Sequence, residues 1–261
     1  MHAVQKLYLY RKSLSTTEFK ARGWKVKRCE VCRLDQNYCI CNMVKQGDSQ
    51  YAFLLLMYDN EVLKPSNTGR LIADVVKDTY AFLWQRTEPN DELLALLSSN
   101  KYQPYLVFPK DYANEGQVVY EYKPEQVDID LKNKKKPLFI LIDATWRQAK
   151  KIFRKSPYLS LLPIISIPQQ TSTAQEGNVN IEGNFNSRYQ VRKAAKAGEL
   201  ATAEVAAKVL TLMGDDNNAL HLDLWFDVFT YQYRRSVKQR NLADPESLTR
   251  YHEFVSANKI S

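Results

Sequence analysis

Leu138-Phe139-Ile140-Leu141-Ile142, entered through Pro137 and left through Asp143-Ala144-Thr145-Trp146, decides the fold. The run is short, apolar and β-branched, which suits a strand buried on both faces. A helix-period pattern follows at once. Trp146, Ala149, Ile152 and Phe153 mark one helix face; Arg147, Lys150, Lys151, Arg154 and Lys155, at i, i+3, i+4, i+7 and i+8, mark another. A strand feeding a helix is the unit of an α/β sheet, and open α/β sheets place their ligands at the carboxyl ends of strands. Asp143 stands at such an end, where a carboxylate is either held by partners or used in chemistry. No acid lies between Arg147 and Lys155. Solvated helix faces usually mix signs, so this one reads as an anion-binding stripe.

Working outward, 51–58 (YAFLLLMY) predicts a second buried strand, followed by a turn-rich loop at 65–69. Helical periodicity predicts a helix over 70–84 and a short one over 91–97. Short strands are predicted at 105–108 and 162–167, while 112–124 carries no clear pattern. A polar Gly/Asn/Ser-rich loop is predicted over 169–186. Helices are predicted at 187–197 and 199–213, with a long aromatic-rich one at 221–240. Strands alternating with helices imply a mainly parallel sheet with flanking helices. There is no G-x-G-x-x-G, P-loop or H-E-x-x-H. The three histidines, His2, His221 and His252, lie far from the motifs. The working groups are therefore carboxylates, hydroxyls, arginines and backbone amides.

The 261 residues carry a formal net charge of +8, which favours an acidic partner such as nucleic acid. Residues 1–28 hold eight Lys/Arg against the single acid Glu18, nearly the whole excess. Tyr8, Tyr10, Phe19 and Trp24 are interleaved among them as candidate stacking rings; the plainer alternative is a basic, partly ordered tail. Residues 132–136 add a second basic run. No stretch approaches the ~20 apolar residues of a membrane span, and no secretory h-region is visible. These features predict a soluble cytoplasmic protein with reduced thiols and no membrane partner.

All four cysteines, Cys29, Cys32, Cys39 and Cys41, fall within thirteen residues as C-x2-C-x6-C-x-C. In a reducing compartment such clustering points to a metal before disulfides. Four thiolates with no open position suit structural zinc, with iron in a rubredoxin-like site as the alternative. A zinc knuckle beside a basic segment suits an RNA-contacting appendage. The boundaries that follow are 1–50 for the basic segment with its knuckle and 51–261 for the α/β domain.

Taken together, these segments resemble the DTW-domain family of tRNA-uridine aminocarboxypropyltransferases. Asp143-Ala144-Thr145-Trp146-Arg147-Gln148-Ala149-Lys150 resembles its D-x-T-W motif, and Asn67-Thr68-Gly69-Arg70 its TNTGR segment. The cysteine cluster is similar to the family's. Ser187-Arg188-Tyr189-Gln190-Val191-Arg192-Lys193 and Leu200-Ala201-Thr202-Ala203-Glu204 resemble its S-x-Y-x-x-R-K and L-S-T-x-E-A segments. The match runs from about residue 28 to 230. It departs at Tyr58, where members often carry His, and at Ala201 and Val205.

The resemblance implies a SPOUT-like fold with a knotted C-terminal part. It also implies S-adenosylmethionine as donor, and transfer of the 3-amino-3-carboxypropyl group to N3 of a tRNA uridine. Asp143 is then the candidate general base. Thr68, Gly69, Arg70, Thr145, Trp146, Tyr189, Arg192, Thr202 and Glu204 are the candidate donor contacts. Arg70 or Arg192 would clamp the donor's carboxylate. Trp146 would stack on adenine or on the target base, or pack as core. Thr202 would touch ligand or cap the helix carrying Glu204. Arg147, Lys150, Lys151, Arg154 and Lys155 would hold tRNA phosphates. Two further readings fit the composition: a SPOUT-type RNA methyltransferase and a non-catalytic zinc-knuckle RNA-binding protein. Monomer and dimer are both open.

Overall fold

The computed structural model describes residues 1–17, 25–121, 135–167, 200–237, 241 and 243–260. Six strands among them form one sheet: Ala52–Met57 (β1), Thr79–Leu83 (β2), Tyr102–Val107 (β3), Val119–Glu121 (β4), Lys136–Asp143 (β5) and Ile164–Ser166 (β6). The order is β2-β1-β5-β3-β6-β4 and every pair is parallel. β5 lies inside the sheet, with Leu54 opposite Ile140 on one side and Leu106 opposite Ile140 on the other. That position explains why its sequence is apolar without alternation.

Helices cover both faces. One layer holds Ala3–Ser13 (α1), Gly69–Val75 (α2), Thr202–Leu212 (α6), Asp216–Ser236 (α7) and Ser247–Ala257 (α8). It packs on Phe53, Leu55, Met57, Phe139 and Leu141. The other holds Asp91–Leu97 (α3), Trp146–Arg154 (α4) and Pro157–Ser160 (α5). It packs on Ala52, Leu54, Leu56, Leu138 and Ile140. Alternate residues of β1 and β5 thus feed opposite cores, as a two-residue period requires. Val4, Leu34 and Ile40 of the first fifty residues are fully buried in the first of these cores.

β1 leads through α2 to β2 on one side, and β5 leads through α4 and α5 to β6 on the other. The chain therefore leaves the carboxyl ends of the neighbours β1 and β5 in opposite directions. Such a switch point opens the crevice in which α/β sheets bind ligands. Asp143 is the last residue of β5.

The structure departs from several expectations. The helix expected over 70–84 ends at Val75, and Thr79–Leu83 is a strand pairing with residues 53–57. The periodicity of Leu71, Ile72, Val75 and Val76 is real for two turns. β-Branched and aromatic residues then meet an open sheet edge, where pairing outweighs helix propensity. α1 and α8 are helices that the sequence reading does not place; α1 is weakly periodic, whereas Leu248, Tyr251, Phe254 and Val255 of α8 fall at helical spacing and pack on the first core. The segment 112–124 contains the short edge strand β4. The loop expected at 169–186, the helix at 187–197 and the chain path on which the knot depends lie outside the described residues.

Candidate active site and metal centre

Asp143 is 3 % exposed. Its Oδ2 accepts from Asn67 Nδ2 at 2.6 Å and its Oδ1 from Thr202 Oγ1 at 2.8 Å. Asn67 in turn accepts the Arg70 backbone N–H at its Oδ1, 3.2 Å away. Gly69 shows how tight the site is. A Cβ there would stand 2.3 Å from Asp143 Oδ2 and 3.1 Å from its Cγ. Only glycine lets α2 start under that carboxylate. Two segments far apart in sequence thus converge on the acid that ends a third.

Asn67 belongs to this cluster although it is not among the expected site residues. Its signal is present in the sequence, since it opens the Asn67-Thr68-Gly69-Arg70 segment. Thr202 is expected to contact ligand or to cap its helix. It does not cap: Ala201 holds the cap position, and Glu204 accepts the Ala201 N–H at 2.8 Å. The Thr202 hydroxyl is thereby left to Asp143. Thr68 and Glu204 are buried. Thr145 is exposed and starts α4, where Gln148 Oε1 accepts both its N–H and its hydroxyl.

Trp146 is half-buried. It stacks on Phe108 with ring centroids 5.4 Å apart and meets Tyr112 edge-on at 5.6 Å. Arg147, Lys150, Lys151, Arg154 and Lys155 lie on the outer side of α4 and its end, and none has an ion pair among the described residues. Lys150 lies 5.9 Å from both the Tyr112 and the Trp146 ring, and Lys151 lies 5.8 Å from Trp84. Tyr189 and Arg192 lie outside the described residues.

The N-terminal segment behaves differently from a basic tail. Arg11 makes a two-point pair with Asp59, at 2.6 and 2.8 Å. The Tyr8 ring, expected to stack on bases, covers the Arg33 guanidinium at 4.4 Å. Phe19 and Trp24 lie outside the described residues.

Cys29, Cys32, Cys39 and Cys41 converge, their sulfurs all within 4.8 Å of one another. Cys29 and Cys41 are 3.6 Å apart, Cys32 and Cys39 3.7 Å. A tetrahedral zinc site with bonds of about 2.3 Å has sulfur–sulfur edges of about 3.8 Å. These two pairs match the edges of such a site, and all four sulfurs lie close enough together to hold a metal ion. Burial resists ionisation of Cys29, but the N–H groups of Cys32 and Val31 and the neighbouring thiols bring it down to about 7. Burial, and then the charge of Cys32, push Cys41 up. The Cys29 thiolate forms readily while burial holds back Cys32 and Cys41, which is the situation a bound dication resolves.

Beside this centre lie two buried guanidiniums. Arg33 and Arg70 are each 2 % exposed. Arg33 Nη1 donates to the Val62 carbonyl. Arg70 Nη1 donates to the Val31 carbonyl at 3.3 Å, and its guanidinium lies over Phe229 at 5.2 Å. Burial, and then the nearby charge of Arg70, push Arg33 down to about 9. Asp74 sits close by, paired with His2 at 3.2 Å and accepting from Trp225 Nε1 at 3.0 Å.

The DTW domain family model matches residues 26–234, most of the chain. No solved structure matches it. No described helix is long and apolar enough to cross a membrane.

Proposed function

The chain belongs to the DTW domain family, and from that premise we propose that it transfers the 3-amino-3-carboxypropyl group of S-adenosylmethionine to N3 of a tRNA uridine. The observation that carries this reading is Asp143. It is a buried carboxylate at the switch point of a parallel sheet, fixed by Asn67 and Thr202, three residues from a helix with a basic outer face.

The residues present suit the two substrates. Asp143 puts a negative charge at the carboxyl end of the sheet that a sulfonium ligand can pair with, and Thr68, Thr145 and Thr202 add hydroxyls. Thr68, Gly69, Thr145, Trp146, Thr202 and Glu204 are the proposed donor contacts from the described residues, with Tyr189 and Arg192 beyond them. Arg70 is 2 % exposed, with its guanidinium against Val31 and over Phe229, so the bidentate carboxylate clamp is assigned to Arg192. Bound S-adenosylmethionine supplies an activated carbon next to a sulfonium leaving group.

Asp143 does the remaining chemistry. Uridine N3 is a poor nucleophile while protonated. As the N3–carbon bond forms and the carbon–sulfur bond breaks, the N3 proton passes to the Asp143 carboxylate, and the bond pair leaves on the sulfur of methylthioadenosine. General-base help of this kind contributes typically ~10²–10⁴ in rate. Asn67 and Thr202 hold the carboxylate in place, which is positioning work. The target base must leave its stack to reach a buried acid. Trp146, Phe108 and Tyr112 offer an aromatic ledge beside it, and Lys150, Lys151, Arg147, Arg154 and Lys155 offer phosphate contacts. The four-cysteine centre suits structural zinc, held by Cys29, Cys32, Cys39 and Cys41.

The test is incubation of the protein with unmodified tRNA and S-adenosylmethionine, then nucleoside mass spectrometry. A uridine gaining the aminocarboxypropyl mass, with methylthioadenosine released, is expected. A methyl adduct would replace the reading with methyl transfer, and no adduct together with no donor binding would replace it with RNA binding alone.

A further inference from the structure

We propose that the four-cysteine metal centre sets the position of Asp143, acting through buried Arg33 and Arg70 on the turn that carries Asn67 and Gly69. Calling Asp143 the reacting carboxylate rests on the function proposed above; the mechanical link does not.

The link begins with an exchange between two segments. Arg33, adjacent to the ligand Cys32, donates to the carbonyl of Val62 in the loop after β1. Arg70, on α2, donates to the carbonyl of Val31 inside the cysteine cluster. Each segment thus sends one guanidinium into the other's backbone. α1 closes over the exchange with Tyr8 on Arg33, Arg11 on Asp59 and His2 on Asp74.

The exchange is electrostatically incomplete without a further anion. Nε and Nη2 of both Arg33 and Arg70 are buried and have no hydrogen-bond partner among the described residues. Buried, charged donors left this way are costly. The two guanidiniums also repel each other. Of the buried acids nearby, Asp74 already engages His2 and Trp225, and Glu61 is paired with Lys64. The missing charge is that of the metal centre. Four thiolates around a dication carry a net charge of two minus, equal and opposite to the arginine pair, and the charge of Cys32 acts on both Arg33 and Arg70. Arg33 and Arg70 are therefore counter-ions of the loaded centre, the outer partners that tune metal sites.

From Arg70 the path to the carboxylate is short. Its backbone N–H binds Asn67 Oδ1, Asn67 Nδ2 binds Asp143 Oδ2, and Gly69 packs directly under the same oxygen. At the start of the same loop, the Tyr58 N–H donates to the Asp143 carbonyl at 3.1 Å. When the centre is empty, the arginines lose their counter-charge and push apart, and the 62–70 segment that grips Asp143 moves with them. Arg33 and Arg70 are positioning residues in this scheme.

Two measurements test the proposal without using either substrate. The first is metal affinity, read by chelator competition against the cobalt-loaded protein and its thiolate charge-transfer band. R33M and R70M are expected to lose affinity about tenfold or more, whereas R70K, which keeps the charge, stays near wild type. R250M, a charge loss on α8, leaves affinity unchanged. Unchanged affinity in R33M and R70M overturns the counter-ion role, as does equal loss in R70M and R70K. The second is hydrogen exchange of the wild-type holoprotein before and after chelation under reducing conditions. Exchange is expected to rise over residues 62–70 while β5 keeps its protection. No change over 62–70, or equal loss of protection in β5, overturns the link. If transfer is never detected while both results hold, the functional reading fails and the link stands.

Discussion

Replacing Asp143 with Asn separates the two jobs assigned to this residue. The amide oxygen of the substituted side chain can keep the bond from Asn67, while its NH2 turns to Thr202, whose hydroxyl reverses to accept. Both contacts survive but become neutral. Hydrogen bonds to a charged group contribute about 1.5–3 kcal/mol, and neutral ones about 0.5–1.5. Two such changes bring the loss to about 2 kcal/mol, offset in part because a buried charge has been removed. For a chain of this size that lowers Tm by about 4–8 °C. The loss of the proton acceptor is larger, about 10²–10⁴ in rate, or about 3–5 kcal/mol in the barrier. At 25 °C D143N is therefore folded, binds tRNA with close to wild-type affinity, and has a single-turnover transfer rate lower by about a hundredfold or more. The assay pairs a thermal melt with single-turnover transfer to unmodified tRNA and a tRNA binding isotherm. A folded D143N with a rate within about tenfold of wild type would refute the general-base role and leave Asp143 as a bracket between three chain segments. Parallel loss of tRNA affinity would refute it as well.

Three other outcomes are expected. Gly69→Ala places a Cβ 2.3 Å from Asp143 Oδ2; it should cost about 1–3 kcal/mol of stability, the usual penalty of overpacking, and abolish transfer, and an unchanged melt refutes the close approach. The double variant K150A/K151A should lower the slope of log affinity for tRNA against log salt by about 1–2, and an unchanged slope removes these lysines from the phosphate contacts. His221 is pushed by burial down to about 4, below its unfolded value of about 6.5. Unfolding thus takes up a proton between those values, and stability is full above about pH 6.5 and falls by up to about 3 kcal/mol as the pH drops towards about 4. Urea midpoints of H221Q should lose that part of the pH dependence, and identical slopes for the two proteins contradict it.

Much of this was legible in the residues, for identifiable reasons. The apolar run before Asp143 reads as a strand buried on both sides because it is short, β-branched and lacks alternation, and α4 has its apolar and basic faces where the spacing put them. The cysteine spacing was enough to predict convergence, because four thiols so close in sequence need little help from the rest of the chain. What escaped was decided at a distance. The segment 76–83 looks helical until a free sheet edge offers it β1 as a partner. Thr202 looks like a helix cap because that is a local habit of threonine, and only the arrival of Asp143 from 59 positions away gives its hydroxyl another use. The basic N-terminus looks like a nucleic-acid arm because charge counts do not reveal that Asp59 waits for Arg11 or that Tyr8 covers Arg33.

The placement of Asp143 also gives a reason for the division of labour between the two helix layers. Residue parity along β5 puts its side chain with Phe139 and Leu141, on the side of α2 and α6, where Asn67, Gly69 and Thr202 take hold of it. Three residues later Trp146 belongs to the other core, with Phe108 and the basic face of α4. The carboxyl end of the sheet thus keeps a tight, buried donor cluster on one side and an aromatic and cationic surface on the other. Under the proposed reaction this matches the partners: a small sulfonium donor that needs close enclosure, and an RNA whose phosphates need only accessible charge. It follows that substitutions of the lysines and arginines on the outer face of α4 should change tRNA affinity and its salt dependence while leaving donor binding intact. Substitutions at Asn67, Gly69 or Thr202 should do the reverse. Calorimetric titration of S-adenosylmethionine and of tRNA into K150A/K151A and N67A measures both, and loss of both ligands in both variants would break the argument that the two faces work separately.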